Sequence, residues 1–272
     1  MKTRFRFSLI ATLAFLFAAP VFAQNVQVIE NDDWCEKSRW ERNNDNERYC
    51  EVREVTLAPR DLITIDGRKN GGIKVEGWDR NEILVRAKVA TYARTEATAR
   101  DLADEVRLRT DGREIYADVP DTRRKEWASV SFYVFVPRRS NLALQTHNGG
   151  ITIADVDGDI SFDALNGGVS LINLSGNVTG ETTNGGLEIE LAGSEWNGRG
   201  MDVETTNGGV EINVPDDYSA NLETGTVNGK VYVDFPVMVQ GRLDRTFSAE
   251  LGRGGKTIRA RTTNGGVEIR KL

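Results

Sequence analysis

Along the second half of the chain, apolar residues occupy every other position in short runs that restart after each Asn-Gly-Gly. That tripeptide begins at Asn148, Asn166, Asn184, Asn207 and Asn264, and a variant, Asn228-Gly229-Lys230, stands between the last two. The spacings are 18, 18, 23, 21 and 36 residues. The third and fifth residues after each asparagine are Ile151 and Ile153, Val169 and Leu171, Leu187 and Ile189, Val210 and Ile212, Val231 and Val233, and Val267 and Ile269. All are branched aliphatics. The sixth residue before it is Leu142, Ile160, Val178, Met201, Leu222 or Ile258, and the second before it is Thr146, Ala164, Thr182, Thr205, Thr226 or Thr262.

A period of two marks a strand with one buried face, so each unit predicts strand, Asn-Gly-Gly corner, strand. A helix would space its apolar residues by three and four and would be weakened by paired glycines. One unit cannot bury its apolar side alone, whereas units stacked in parallel bury a continuous column. The predicted fold class is therefore all-β, a parallel β-solenoid with two strands per rung over residues 140–272. Asn-Gly also suits a tight hairpin turn, so an antiparallel meander or β-sandwich is the competing arrangement. In the solenoid, Gly149, Gly150, Gly167, Gly168, Gly185, Gly186, Gly208, Gly209, Gly229, Gly265 and Gly266 are expected to supply positive φ and close packing at the corners. The asparagines, pointing inward in phase with the threonines, are expected to form an amide ladder.

Residues 55–139 predict a β-rich cap over the N-terminal end of the stack. Asn70-Gly71-Gly72, followed by Ile73 and Val75, reads as a degenerate first rung. Ile83 to Val89 and Val130 to Val136 alternate as strands. Ala99, Leu102, Ala103 and Val106 fall at helical spacing, predicting one short helix from about Thr95 to Glu105, and Asp111-Gly112 reads as a hairpin turn. At the other end, Val267 to Ile269 is expected to be an open edge, followed by Arg270-Lys271-Leu272.

The first residues change the compartment. Lys2, Arg4 and Arg6 precede an apolar run from Leu9 to Phe17, with Val21 and Ala23 at the −3 and −1 positions. This is the order of a signal peptide over residues 1–23, cleaved before Gln24. The apolar run is too short to span a bilayer and no second one follows, so an exported chain without a transmembrane segment is expected, periplasmic or at the cell surface. Residues 24–54 are polar and hold both cysteines, Cys35 and Cys50. In an oxidising compartment their simplest state is one disulfide. The formal charge of −6 falls to about −9 once the three basic residues of the leader are removed, which argues against a nucleic-acid partner.

Candidate chemistry is sparse. His147 is the single histidine, and with no positioned nucleophile or acid it makes no triad. Asp155, Asp157 and Asp159 resemble a fragment of a calcium loop but lack its later glutamate, and they read as turn residues. Glu188, Glu211 and Glu268 each lie four residues after an asparagine, on one outer column. That column is either a solvated acidic face or a binding face for a cation or a basic partner. No catalytic, cofactor-binding or metal site is assigned.

The leader, the recurring Thr-Asn-Gly-Gly-Val or Leu and the strands between them resemble the bacterial putative-adhesin domains of unknown function, also described as head GIN-like, over roughly residues 55–272. The resemblance implies an exported β-solenoid at the cell envelope and brings no catalytic or binding residues with it. The expected function is a non-enzymatic envelope or surface protein, an adhesin-like binding or structural module whose partner is an envelope protein or a glycan. The alternative is a carbohydrate-active β-helix enzyme, which would need two carboxylates about 5 to 9.5 Å apart in a groove.

Overall fold

The computed structural model describes residues 26–30, 32–36, 46–235 and 245–272; the predicted signal peptide and the middle of the excursion that follows Asp234 lie outside the described residues. The first nine strands are β1 Gln27–Ile29, β2 Glu47–Leu57, β3 Leu62–Asp66, β4 Ile73–Trp78, β5 Ile83–Ala93, β6 Arg107–Arg109, β7 Glu114–Asp118, β8 Trp127–Pro137 and β9 Asn141–Asn148. The α-helix, α1 Glu96–Glu105, falls between β5 and β6. Then follow β10 Ile151–Ala154, β11 Asp157–Asn166, β12 Val169–Ile172, β13 Ser175–Asn184, β14 Leu187–Glu190, β15 Gly198–Asn207 and β16 Val210–Val214. The chain ends with β17 Ala220–Asn228, β18 Val231–Val233, β19 Thr246–Leu251, β20 Thr257–Asn264 and β21 Val267–Lys271. The described residues are all-β apart from α1 and the 3-10 turn Asp33–Cys35, with two large, mostly parallel sheets. The first runs β1-β2-β5-β8-β4-β10-β12-β14-β16-β21-β18 and the second β19-β17-β20-β15-β13-β11-β9-β3-β7-β6.

Each corner carries the chain from the second sheet to the first. The strands flanking an Asn-Gly-Gly are therefore not paired with each other, and the antiparallel meander does not hold for the repeats. Asn148, Asn166, Asn184, Asn207, Asn264 and Asn228 lie opposite one another in that order through parallel pairs. Asn70 heads the column, since Asn148 Nδ2 donates to its Oδ1 at 3.1 Å. The amide ladder continues with steps of 2.7 to 2.9 Å. The asparagines are exposed, however, and run along the outside of the corners, so the expected inward orientation is corrected.

The corner glycines also serve a different need from the expected one. None has positive φ. A Cβ on Gly167, Gly185 or Gly208 would instead stand 2.0, 2.1 and 2.1 Å from the carbonyl oxygen of the first glycine in the neighbouring unit. Close approach of backbone to backbone is what excludes a side chain there. From Asn148 on, a buried threonine two residues before the asparagine completes the joint in every unit but that of Asn166, which has Ala164 there. Thr146, Thr182, Thr205, Thr262 and Thr226 donate to the carbonyls of Gly71, Gly167, Gly185, Gly208 and Gly265 at 2.6 to 2.8 Å.

The third and fifth positions after each asparagine are buried, except Val231 and Val233, which are half-buried because β18 is an edge strand. The unit order differs from the chain order. After β18 the chain returns as β19, antiparallel to β17, and then inserts β20 and β21 between the Asn207 and Asn228 units. Val267 to Ile269 is thus an interior strand, and the expected C-terminal edge is corrected. The order buries Val267 and Ile269 fully and leaves the edge to the half-buried Val231 and Val233 of the shorter β18. The second corner glycine is less crowded than the first. A Cβ there would meet the next unit's carbonyl at 3.1 to 3.6 Å. These are mostly ordinary contacts, and the variant unit, at the edge of the first sheet, carries Lys230 at that place.

The N-terminal strands obey other rules. β2, β5 and β8 are each 11 residues long and pair antiparallel, and β8 then joins β4 in parallel. The helix packs Ala99, Leu102 and Ala103 inward, and Thr95 caps it by accepting from Thr98 N–H. At its other end the Arg53 guanidinium, itself nearly buried, donates to the carbonyls of Ala103 and Val106 at 2.7 Å each. This satisfies helix-end acceptors with the sign of charge that the helix dipole favours. The expected Cys35–Cys50 disulfide is formed, with 5.7 Å between Cα atoms, and ties the 3-10 turn Asp33–Cys35 to β2.

Candidate functional site

Outward residues of the first sheet align across its strands. The column that contains the sequence-identified glutamates reads Tyr133, Lys74, Thr152, Ser170, Glu188, Glu211, Glu268, Tyr232, from β8 to β18. Because β21 lies beside β16, all three glutamates fall on consecutive strands, about 4.8 Å apart. Like charges at that spacing repel unless compensated. Arg270 supplies the compensation for two of them, with Nη1 3.0 Å from Glu211 Oε1 and Nη2 2.7 Å from Glu268 Oε2. No salt bridge among the described residues reaches Glu188.

Beside the column lie Gly168, Gly186, Gly209 and Gly266, whose missing side chains leave a shallow trough of about 790 Å³. Lys230 and Tyr232, the latter 58 % exposed, border its far end. From β10 to β18 the trough crosses six strands, about 24 Å at the usual strand spacing. Its floor is backbone and its flank offers hydroxyls and then carboxylates in single file. This shape suits an extended chain laid across the strands better than a compact molecule.

The opposite end of the same face is aromatic. Trp78 stacks on Phe135 with centroids 5.2 Å apart, Phe135 meets Tyr133 at 4.3 Å, and Trp34 meets Tyr133 edge-on at 6.2 Å. Lys74 lies over the Tyr133 ring and donates to its hydroxyl at 3.1 Å, and that hydroxyl donates to Glu76 at 2.5 Å. The Tyr133 hydroxyl, with Lys74 behind it, holds the Glu76 carboxyl below its ordinary range. Burial raises the tyrosine itself.

The remaining candidates do not converge. Asp155 has φ 59° and accepts from Asn173, itself at φ 48°, at 2.5 Å, so the two form stacked turns. Asp157 lies 3.9 Å from Arg139, and Asp159 pairs with Arg199. His147 is exposed, and its backbone N–H donates to Arg68 O. No group of three or more His, Cys, Asp or Glu among the described residues is placed to hold a metal ion. Among the described residues no helix is long and apolar enough to cross a membrane.

Lys230, Tyr232 and Arg270 escaped the sequence reading because the order of the last units decides their neighbours. The aromatic end did leave a signal. In Phe132-Tyr133-Val134-Phe135-Val136 apolar residues fill both phases of the alternation, so two large rings must face outward.

No family model and no curated relative matches this chain. Among solved structures, a putative cell adhesion protein from Clostridium sporogenes is 12 % identical, with 84 % of this chain and 100 % of that chain covered and a TM-score of 0.43. A putative lipid binding protein from Parabacteroides distasonis is 13 % identical, with 82 % and 96 % covered and a TM-score of 0.32. A putative adhesin from Bacteroides fragilis is 11 % identical, with 82 % and 97 % covered and a TM-score of 0.28.

Proposed function

We infer that this chain is an exported, non-enzymatic binding protein of the cell envelope or surface, in which a two-strand-per-turn β-solenoid presents the outer face of the first sheet to its partner. The observation that carries the reading is the column Glu188, Glu211, Glu268 beside a trough floored by glycine. Alternation of the chain between two sheets at every corner supports the solenoid, with residues 140–272 as its body. Residues 55–139 form the cap and contribute the Asn70 unit. The corner residues are consumed by stacking, so the outward positions between corners are left for recognition. The partner that fits is an extended one, a glycan or a segment of an envelope protein, and neither cofactor nor metal belongs to this reading.

Glycan arrays and envelope-fraction binding test it with the Glu188→Gln/Glu211→Gln double variant. Binding should fall while the melting temperature stays put. Wild-type affinity in that variant would remove the column from the binding surface, and a rise in melting temperature with calcium would assign it to a cation instead. The enzymatic alternative has one observation in its favour: Glu188 and Glu211 face the same way from adjacent strands, so two carboxylates border one trough. Release of reducing ends from a polysaccharide, lost in Glu188→Gln, would favour it.

A further inference from the structure

A second exposed feature lies where β8 begins and β5 ends. β8 pairs with β4 from Phe132 opposite Ile73, yet it starts five residues earlier, at Trp127. β5 and β2 accompany it, through the pairs Tyr92–Trp127 and Glu47–Ala93. At about 3.3 Å per residue, these strands overhang the line of Asn-Gly-Gly corners by about 16 Å. The tip of the overhang is the connection from β7 to β8.

That connection carries Arg123, Arg124 and Lys125 in succession, all exposed. None of the three has a salt bridge among the described residues. Apolar surface flanks them, with Trp127 45 % and Val119 39 % exposed. Behind the tip, a cleft of about 430 Å³ is lined by Val119, Pro120, Trp127, Val130 and Lys69. The whole chain is anionic, at −6, whereas residues 119–126 set three cations against Asp121 and Glu126 and keep a net charge of +1, with Arg68 and Lys69 facing Asp118 and Asp121 in the cleft behind them; the tip is thus locally cationic on a body that an anionic surface repels.

A tryptophan beside clustered cations suits one environment in particular. Indole rings favour the interface of a bilayer, where the apolar body is buried and the N–H stays wet, and cations nearby are drawn to anionic headgroups. A soluble polyanion would satisfy the cations but leave Trp127 and Val119 in water. We propose that this tip docks the protein onto an anionic phospholipid bilayer, with Trp127 and Val119 entering the interface and Arg123, Arg124 and Lys125 meeting headgroup phosphates. The proposal is independent of the trough.

Co-sedimentation of the protein with phosphatidylcholine vesicles, with and without phosphatidylglycerol, tests it. Binding should require phosphatidylglycerol and weaken as salt is raised. The Arg123→Gln/Arg124→Gln/Lys125→Gln variant should bind about a hundred-fold more weakly, from about five-fold per cation. Arg123→Lys/Arg124→Lys should bind like wild type, which separates charge from loop integrity. Trp127→Ser should weaken binding while keeping its salt dependence. Equal sedimentation with either vesicle, undiminished binding by the triple Gln variant, or retention on heparin without vesicle binding would overturn the proposal.

Discussion

The stacked units and the antiparallel strands that precede them share one hydrophobic core, yet their sequences are constrained in opposite ways. In the stack, each residue type is dictated by the same position one unit away. A glycine is required because a neighbouring carbonyl stands about 2 Å from where its Cβ would be, a threonine is favoured because that carbonyl needs a donor, and an asparagine extends a ladder. Around β2, β5 and α1 the joints are made once each: a disulfide, Arg53 on the helix carbonyls, and Tyr49 donating to Glu51 at 2.8 Å. Repetition makes a scaffold whose corner residues are given over to stacking. Single contacts leave room for individual chemistry.

The sharpest way to break this comparison is at a corner glycine. In Gly185→Val the new Cβ would lie 2.1 Å from Gly167 O, and both backbones are held in parallel ladders that cannot give way. A loss above about 4 kcal/mol is expected, enough to abolish cooperative folding, since both overpacking and ladder disruption are engaged. Gly112→Ala, in the β6–β7 turn where nothing lies within 4 Å of the added atom, should cost less than about 0.5 kcal/mol. Urea unfolding of the two variants reads the difference. Equal losses would show that close approach is not the corner requirement.

The next largest effect belongs to the N-terminal region. Replacing Cys35 and Cys50 by serine opens a link between residues 15 apart and should lose about 3 kcal/mol. Hydrogen exchange should speed up in β2 and β5, while the Asn184 and Asn207 corners keep wild-type protection. Acceleration spread evenly over both regions would mean that the stack depends on the single joint, against the contrast drawn above.

What was legible in the sequence follows the same division. Period-two alternation and a fixed tripeptide reveal strand, corner, buried face and ladder, because each recurs and so can be checked against its copies. The Asn70 unit was visible for that reason despite its distance from the rest. Unit order was not, since Asn207, Asn228 and Asn264 carry nearly interchangeable corners and spacing alone does not say which pairs with which. The partners of the acidic column, Arg270 above all, depend on that order and were hidden with it.

Irregular insertions inside the stack should behave like the N-terminal region, and Tyr218 tests this. It lies between β16 and β17, is 3 % exposed, and burial pushes its hydroxyl up to about 12 from an ordinary 10.0, with Glu195 adding to the shift. Below pH 10 both folded and unfolded chains carry a neutral phenol and stability is whole. As pH rises from 10 toward 12 the unfolded chain ionises first, and the folded state loses about 2 kcal/mol relative to it. Tyr218→Phe should abolish that part of the alkaline loss in pH-dependent urea unfolding. An unchanged alkaline profile would place the sensitive group elsewhere.

The smallest expected effect is a gain, and it probes the stack's own rule. Five units place a threonine hydroxyl on a neighbouring glycine carbonyl, but Ala164, fully buried, offers none to Gly149. Its register partners across β11 are Thr146 and Thr182, so a threonine at 164 enters a site whose neighbours already accommodate that shape. Ala164→Thr should therefore stabilise by about 1 kcal/mol, the net value of one buried hydrogen bond. The added methyl works against this if the corner cannot accept its volume, and overpacking of that kind costs about 1 to 3 kcal/mol. The sign of the change in urea midpoint thus decides between two accounts of the exception. A gain means that the rule extends to every unit and alanine is merely tolerated. A loss means that this unit packs differently from its copies, and the equivalence of stacked units ends at Ala164.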